Sequence, residues 1–254
     1  MNEYPTADNS EQSPNTWKGL DVVYIVLGIL LIIIFSIIAI MGFASIRSTG
    51  DPNKFPFTQQ TTISLSIGSA LLESVAIIAG VYLFGIRRRK YHWIAAGLRP
   101  ISQRWVAISI AIGLLAIPVS SLVAVAVQYL LDLPLDNHQL PFLLPEDIST
   151  AGMIMMVILV GLIVPFAEEL FFRGILYQWM RDRFGIWIGI IGSSLLFGIV
   201  HGEIAVGAAA FVLGLILALV YERSQSLWPG VIIHALNNTV KIVFLYGVLS
   251  FGAQ

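Results

Sequence analysis

The 254-residue chain contains no cysteine, which removes disulfides, thiolate metal ligands and a cysteine nucleophile together. Charge is also scarce. Only 11% of residues are Asp, Glu, Lys or Arg, with a formal net charge of −1, so no polybasic or polyacidic surface argues for a nucleic-acid partner. Internal repeats and low-complexity blocks are missing, and so is the H-E-x-x-H helix of soluble zinc proteases. What the chain has in quantity is apolar surface: 57% hydrophobic residues and a mean hydropathy of +0.85. That composition lies far outside the soluble range and marks an integral membrane protein.

Uncharged apolar runs predict an all-α, polytopic transmembrane bundle of about seven spanning helices, near 22–46, 61–86, 105–131, 151–180, 184–201, 204–221 and 228–251. Residues 1–19 form a polar tail, 20–145 the amino-terminal membrane helices and 146–254 the helical core that holds the chemistry. The first apolar run is too long for a signal-peptide core and is read as a retained anchor. Arg87, Arg88, Arg89, Lys90, Arg99 and Arg104 follow the second run with no acid among them, and Arg181 and Arg183 close the fourth. By the positive-inside rule these ends are cytoplasmic, as is the amino terminus. The loop carrying Asp132, Asp136, Glu146 and Asp147 has no Lys or Arg and faces outward. We expect residence in a bacterial plasma membrane. Pro118 predicts a bend in the third run. Small residues at Gly185, Gly189, Gly192, Ser193, Gly198, Gly202, Ala210 and Gly214 predict close helix approach in the later half.

Within the fourth run, residues 165–174 read PFAEELFFRG. An ionisable side chain at mid-membrane costs about 2.5–3.5 kcal/mol on insertion scales, so three within six positions require partners. Glu169 and Arg173 are four apart and share a helical face, whereas Glu168 points away from Arg173. Glu169 is therefore expected to pair with Arg173, leaving Glu168 for another partner. Pro165 predicts a kink one turn before Glu168, with its ring over the Gly161 carbonyl. Counting the helical rise from each inner end puts His201 at about 25 Å, near Glu168 at about 20 Å, with His234 at about 9 Å and Asn238 at about 15 Å, so the four can converge in the inner or middle part of one bundle. Phe197 shares a face with His201 and is expected to pack beneath it. Glu73, a lone acid in the second run, is expected to find a bundle contact. Lys241 lies two turns beyond His234 on the same face, with Glu203 or Glu73 as candidate partners, and is expected to close the outer side of the cavity.

A carboxylate, two imidazoles and a carboxamide, with no obvious nucleophilic serine, suggest activated water. Glu168, helped by His201, would take a proton from water attacking a peptide carbonyl, and His234 and Asn238 would donate to the oxyanion. Alternatively Glu168, His201 and His234 ligate a divalent metal such as zinc, which would activate the water itself. Intramembrane Glu, His, Asn and Lys also build ion pathways, so a transporter is the competing class, with a non-cleaving peptide-binding immunity protein as a third. Transporters built from repeats place polar residues in both halves, whereas here they gather in one.

The EExxxR at Glu168, Glu169 and Arg173, the FxxxH at Phe197 and His201 and the HxxxN at His234 and Asn238 occur in the order found in the CPBP intramembrane proteases, and the chain resembles them over its last hundred or so residues. That group (Abi) includes CAAX prenyl endopeptidases and bacteriocin-processing or immunity proteins. The stretch Gly97-Leu98-Arg99-Pro100 also looks like the segment that precedes their core. The resemblance implies an α-helical membrane endopeptidase acting on membrane-associated or CAAX-like peptides or on membrane proteins. In it Glu168 and His201 activate water, His234 and Asn238 hold the oxyanion, and Glu169, Arg173 and Phe197 support them. Such enzymes are usually labelled metalloproteases, though a metal-free glutamate mechanism has been argued for the CAAX branch.

Overall fold

The computed structural model describes residues 17–47, 59–134 and 149–252. Most of the polar tail, and the outer-loop acids Asp136, Glu146 and Asp147, lie outside them. Seven helical runs follow one another: α1 Gly19–Arg47, α2 Gln59–Gly80, α3 Gln103–Leu130, α4 Thr150–Phe184, α5 Ile186–Ile199, α6 Ile204–Ser224 and α7 Leu227–Gly252. Strands are absent among the described residues. Ser102 and Ser149 start α3 and α4 by accepting backbone N–H bonds from Trp105 and Gly152, which satisfies donors that a helix start leaves unpaired.

Five described helices are long and apolar enough to cross a membrane: Gly19–Ile38, Ile67–Arg87, Gln103–Leu130, Thr150–Phe184 and Ile204–Ser224. Seven helical runs correspond to the seven apolar runs, and these five meet the length and apolarity of a span over the described residues. The 14 residues of α5 extend only about 21 Å, short of a hydrocarbon core of about 30 Å. Helix α7 has 26 residues, but His234, Asn237, Asn238 and Lys241 interrupt its apolar character. Leu31, Phe35, Leu115, Leu122 and Phe244 are among many large apolar side chains on the outer surface, as lipid contact requires. Helix α3 continues through Pro118 without a break.

Sequence-distant ends meet at one end of the bundle. Asp21, buried at the start of α1, accepts from Lys18 N at 2.9 Å and pairs with Arg88 and Arg89 beyond α2. Glu222 near the end of α6 accepts from Arg181 Nη2 at 2.8 Å and from Tyr177 Oη at 2.7 Å. The segment after α2 forms a short 3-10 turn, Trp93–Ala96. It ends at Gly97, whose carbonyl accepts from Leu227 N at 2.8 Å and whose φ of +86° places it in the left-handed region.

Helices α5 and α6 cross in close contact. A Cβ on Gly198 would sit 2.6 Å from the Gly207 carbonyl oxygen, and one on Gly207 2.8 Å from that of Gly198. Small residues do bring backbones together here, whereas Gly185 and Gly202 are turn positions with φ of +91° and +77° and open space around them. Gly207→Ala is expected to force the helices apart and destabilise the protein by about 1–3 kcal/mol, the usual range for overpacking. Thermal unfolding in detergent checks this; a midpoint unchanged from wild type would count against a tight crossing.

Candidate active site

Helix α4 carries the acidic pair and is not a uniform α-helix. Wide π-turns, Leu159–Ile163 and Phe172–Tyr177, bracket the α-helical segment Val164–Phe171. Such insertions recur at functional sites because they re-aim side chains and release backbone carbonyls. The expected kink at Pro165 is thus a wide turn just before it, where the residue begins the next α-segment. Gly161 in that turn lets α7 approach: a Cβ there would lie 2.4 Å from Thr239 Oγ1. The Val160 carbonyl accepts from Asn238 Nδ2 at 3.2 Å.

Glu169 and Arg173 are fully buried and paired, Arg173 Nη1 donating to Glu169 Oε1 at 2.7 Å. Arg173 Nη2 also donates to the Gly214 carbonyl on α6 at 3.0 Å, and its Cζ lies 4.7 Å over the Phe197 ring. Pairing leaves Glu168 outside the arginine's reach. Its carboxylate instead faces α7, where Glu168 Oε2 lies 3.6 Å from His234 Nε2, the side chains being 15% and 3% exposed. The other nitrogen of that ring, Nδ1, is 3.3 Å from Glu169 Oε1. Each face of His234 therefore meets a different member of the acidic pair. Sequence spacing signals the Glu169–Arg173 pair but carries no sign of the contact from Glu169 to α7.

The Phe197 ring is the apolar centre of the site. His201 packs edge-on against it at 4.9 Å between centroids and His234 at 5.6 Å. His201 Nδ1 lies 2.7 Å from the Phe197 carbonyl. Since a carbonyl only accepts, Nδ1 carries the hydrogen and Nε2 is the basic nitrogen. His201 and His234 thus share the Phe197 ring, Glu168 faces His234, and Asn238 is bound to the π-turn at Val160. Glu73 on α2 has an exposed side chain, yet it lies close enough to Glu168 for the two carboxylates to repel. Lys241 donates to Ser120 Oγ on α3 at 2.8 Å, not to Glu203 or Glu73; nothing in the pattern of α3 distinguishes Ser120 from its neighbours.

As a ligand set, Glu168 and His234 offer two adjacent donors. Among the described residues no three His, Asp or Glu side chains gather closely enough to hold a metal ion. His201, the third expected ligand, has its Nδ1 on the Phe197 carbonyl, so Nε2 is the nitrogen that would ligate.

Residues 150–240 match the family described as type II CAAX prenyl endopeptidase Rce1-like. All three motifs fall inside this Rce1-like stretch, while α1 to α3 and Lys241 fall outside it. The chain is 26% identical over 89 residues to a Bacillus subtilis (strain 168) protein named "Putative membrane peptidase YdiL", covering 35% of this chain and 36% of that one. It is 31% identical over 103 residues to an "Uncharacterized 24.3 kDa protein" of Escherichia coli, covering 39% and 48% respectively. These matches span less than half the length of either relative. No solved structure matches the chain.

Proposed function

We propose that this protein is an intramembrane endopeptidase that hydrolyses peptide bonds in membrane-associated or CAAX-like peptides with water activated by Glu168 and His201. The observation that carries this reading is the division of labour on α4, where Arg173 is taken by Glu169 and Glu168 is turned toward His234. The Rce1-like match over the same residues supports it.

In the proposed reaction Glu168 removes a proton from water as its oxygen bonds to the peptide carbonyl carbon. The C–N bond then breaks, and Glu168 returns the proton to the leaving nitrogen. Asn238 uses one Nδ2 hydrogen on Val160, so its second is free to meet the oxyanion. His234 donates from Nδ1 to Glu169, so a further bond from Nε2 to the oxyanion needs the doubly protonated ring. His201 contributes Nε2 as a second base. A divalent metal, if one is bound, would supply Lewis-acid activation of the same water.

We place the bundle end that holds Arg88, Arg89 and Arg181 in the cytoplasm by the positive-inside rule; there Arg88 and Arg89 pair with Asp21, and Arg181 with Glu222. The deciding assay is cleavage of a library of membrane-anchored peptides by purified protein in liposomes. We expect cutting by wild type, unchanged by a chelator if the side chains suffice; loss with chelator would assign the water to a metal. No cutting across the library would favour a non-cleaving peptide binder or an ion pathway.

A further inference from the structure

Outside the Rce1-like stretch, two residues reach into the site through a chain of hydrogen bonds. Lys241 Nζ donates to Ser120 Oγ at 2.8 Å, and Ser120 Oγ donates to Asn237 Oδ1 at 3.0 Å. Asn237 Nδ2 donates to Asn238 Oδ1 at 3.1 Å, and Asn238 Nδ2 to the Val160 carbonyl at 3.2 Å. The direction of this chain is fixed by its ends. An ammonium can only donate and a backbone carbonyl can only accept, so every amide and hydroxyl between them has one orientation that satisfies all four bonds. Ser120 has a competing acceptor in the Ile117 carbonyl, but at 3.2 Å it is the longer of the two. Ser120 and Asn237 are buried, where hydrogen bonds polarise one another and an unmade one is expensive.

We propose that Ser120 and Lys241 are positioning residues that set the carboxamide of Asn238, holding its nitrogen side toward α4 and polarising its N–H groups. This rests on the reading that Asn238 donates to the oxyanion. The chain starts on a cation and runs with every donor pointing the same way, so it draws electron density away from the Asn238 nitrogen. It also ties α3 to the site, giving the amino-terminal helices a part in the chemistry that the α4–α7 motifs do not reveal.

Two readouts on the full protein in lipid nanodiscs test this. First, side-chain amide resonances of protein labelled with 15N-asparagine should shift for both Asn237 and Asn238 in Ser120→Ala and in Lys241→Met, and return in Ser120→Thr, which keeps the hydroxyl. Second, in the peptide assay both variants should lower kcat roughly tenfold with KM within about twofold, the loss of about one polarised bond to the transition state. Resonances that stay in place in Ser120→Ala overturn the proposal, as does wild-type kcat in both variants. Shifted resonances in a protein that cuts no peptide would keep the positioning and refute the protease reading instead.

Discussion

Glu168→Gln is expected to lower kcat/KM for any cleaved peptide by about 10²–10⁴-fold, the range associated with a general base, while leaving the fold intact. The substitution is close to isosteric and removes the proton acceptor. It disturbs little else, because the Arg173 guanidinium is bonded to Glu169 and to the Gly214 carbonyl rather than to Glu168. The neighbouring His234 remains anchored through Nδ1 to Glu169. Unfolding in detergent should therefore match wild type within about 1 kcal/mol, as for changes away from a buried network. Equal cleavage by wild type and variant would remove Glu168 from the reaction. Loss of activity together with loss of fold would instead make it structural.

Arg173→Met is expected to produce the largest loss of stability of any single change near the site, about 3–5 kcal/mol, because it leaves a fully buried carboxylate without its counter-charge. Three contacts vanish together: the bond to Glu169, the bond to the Gly214 carbonyl that fastens α4 to α6, and the stacking over Phe197. Arg173→Lys should rescue only part of this, since a single ammonium cannot reproduce the planar fork that serves both oxygens and the ring. Arg173→Met combined with Glu169→Gln should be less destabilising than the sum of the two single changes, since the second removes the charge that the first strands. The check is a set of unfolding measurements in one detergent. Wild-type stability of Arg173→Met would mean that the pair is not what holds α4 against α6. The same double-mutant comparison reports on His234, whose Nδ1 shares Glu169 Oε1 with the arginine.

Much of the architecture follows from local composition. A chain with so few charges must hide its backbone polarity in helices, and its arginine clusters sit at helix ends. The Glu169–Arg173 pair is likewise local, fixed by the four-residue spacing on one helix. The number of helices is legible as well, seven apolar runs corresponding to seven helical runs, but an apolar run does not report where its helix ends. The 14-residue α5 ends at Ile199, whereas α7 runs for 26 residues with polar side chains along it.

By itself, then, the sequence determined an all-α membrane bundle, the face on which each charged residue of α4 lies, and the set Glu168, His201, His234 and Asn238 as candidates for one site. Only the tertiary structure decided which of them touch. It set His234 between both carboxylates, bound Asn238 to a π-turn carbonyl and linked Ser120 on α3 to Lys241 on α7. The physical reason is range: helical periodicity relates residues up to a few turns apart, whereas contacts between helices depend on crossing positions and wide turns that no single helix encodes.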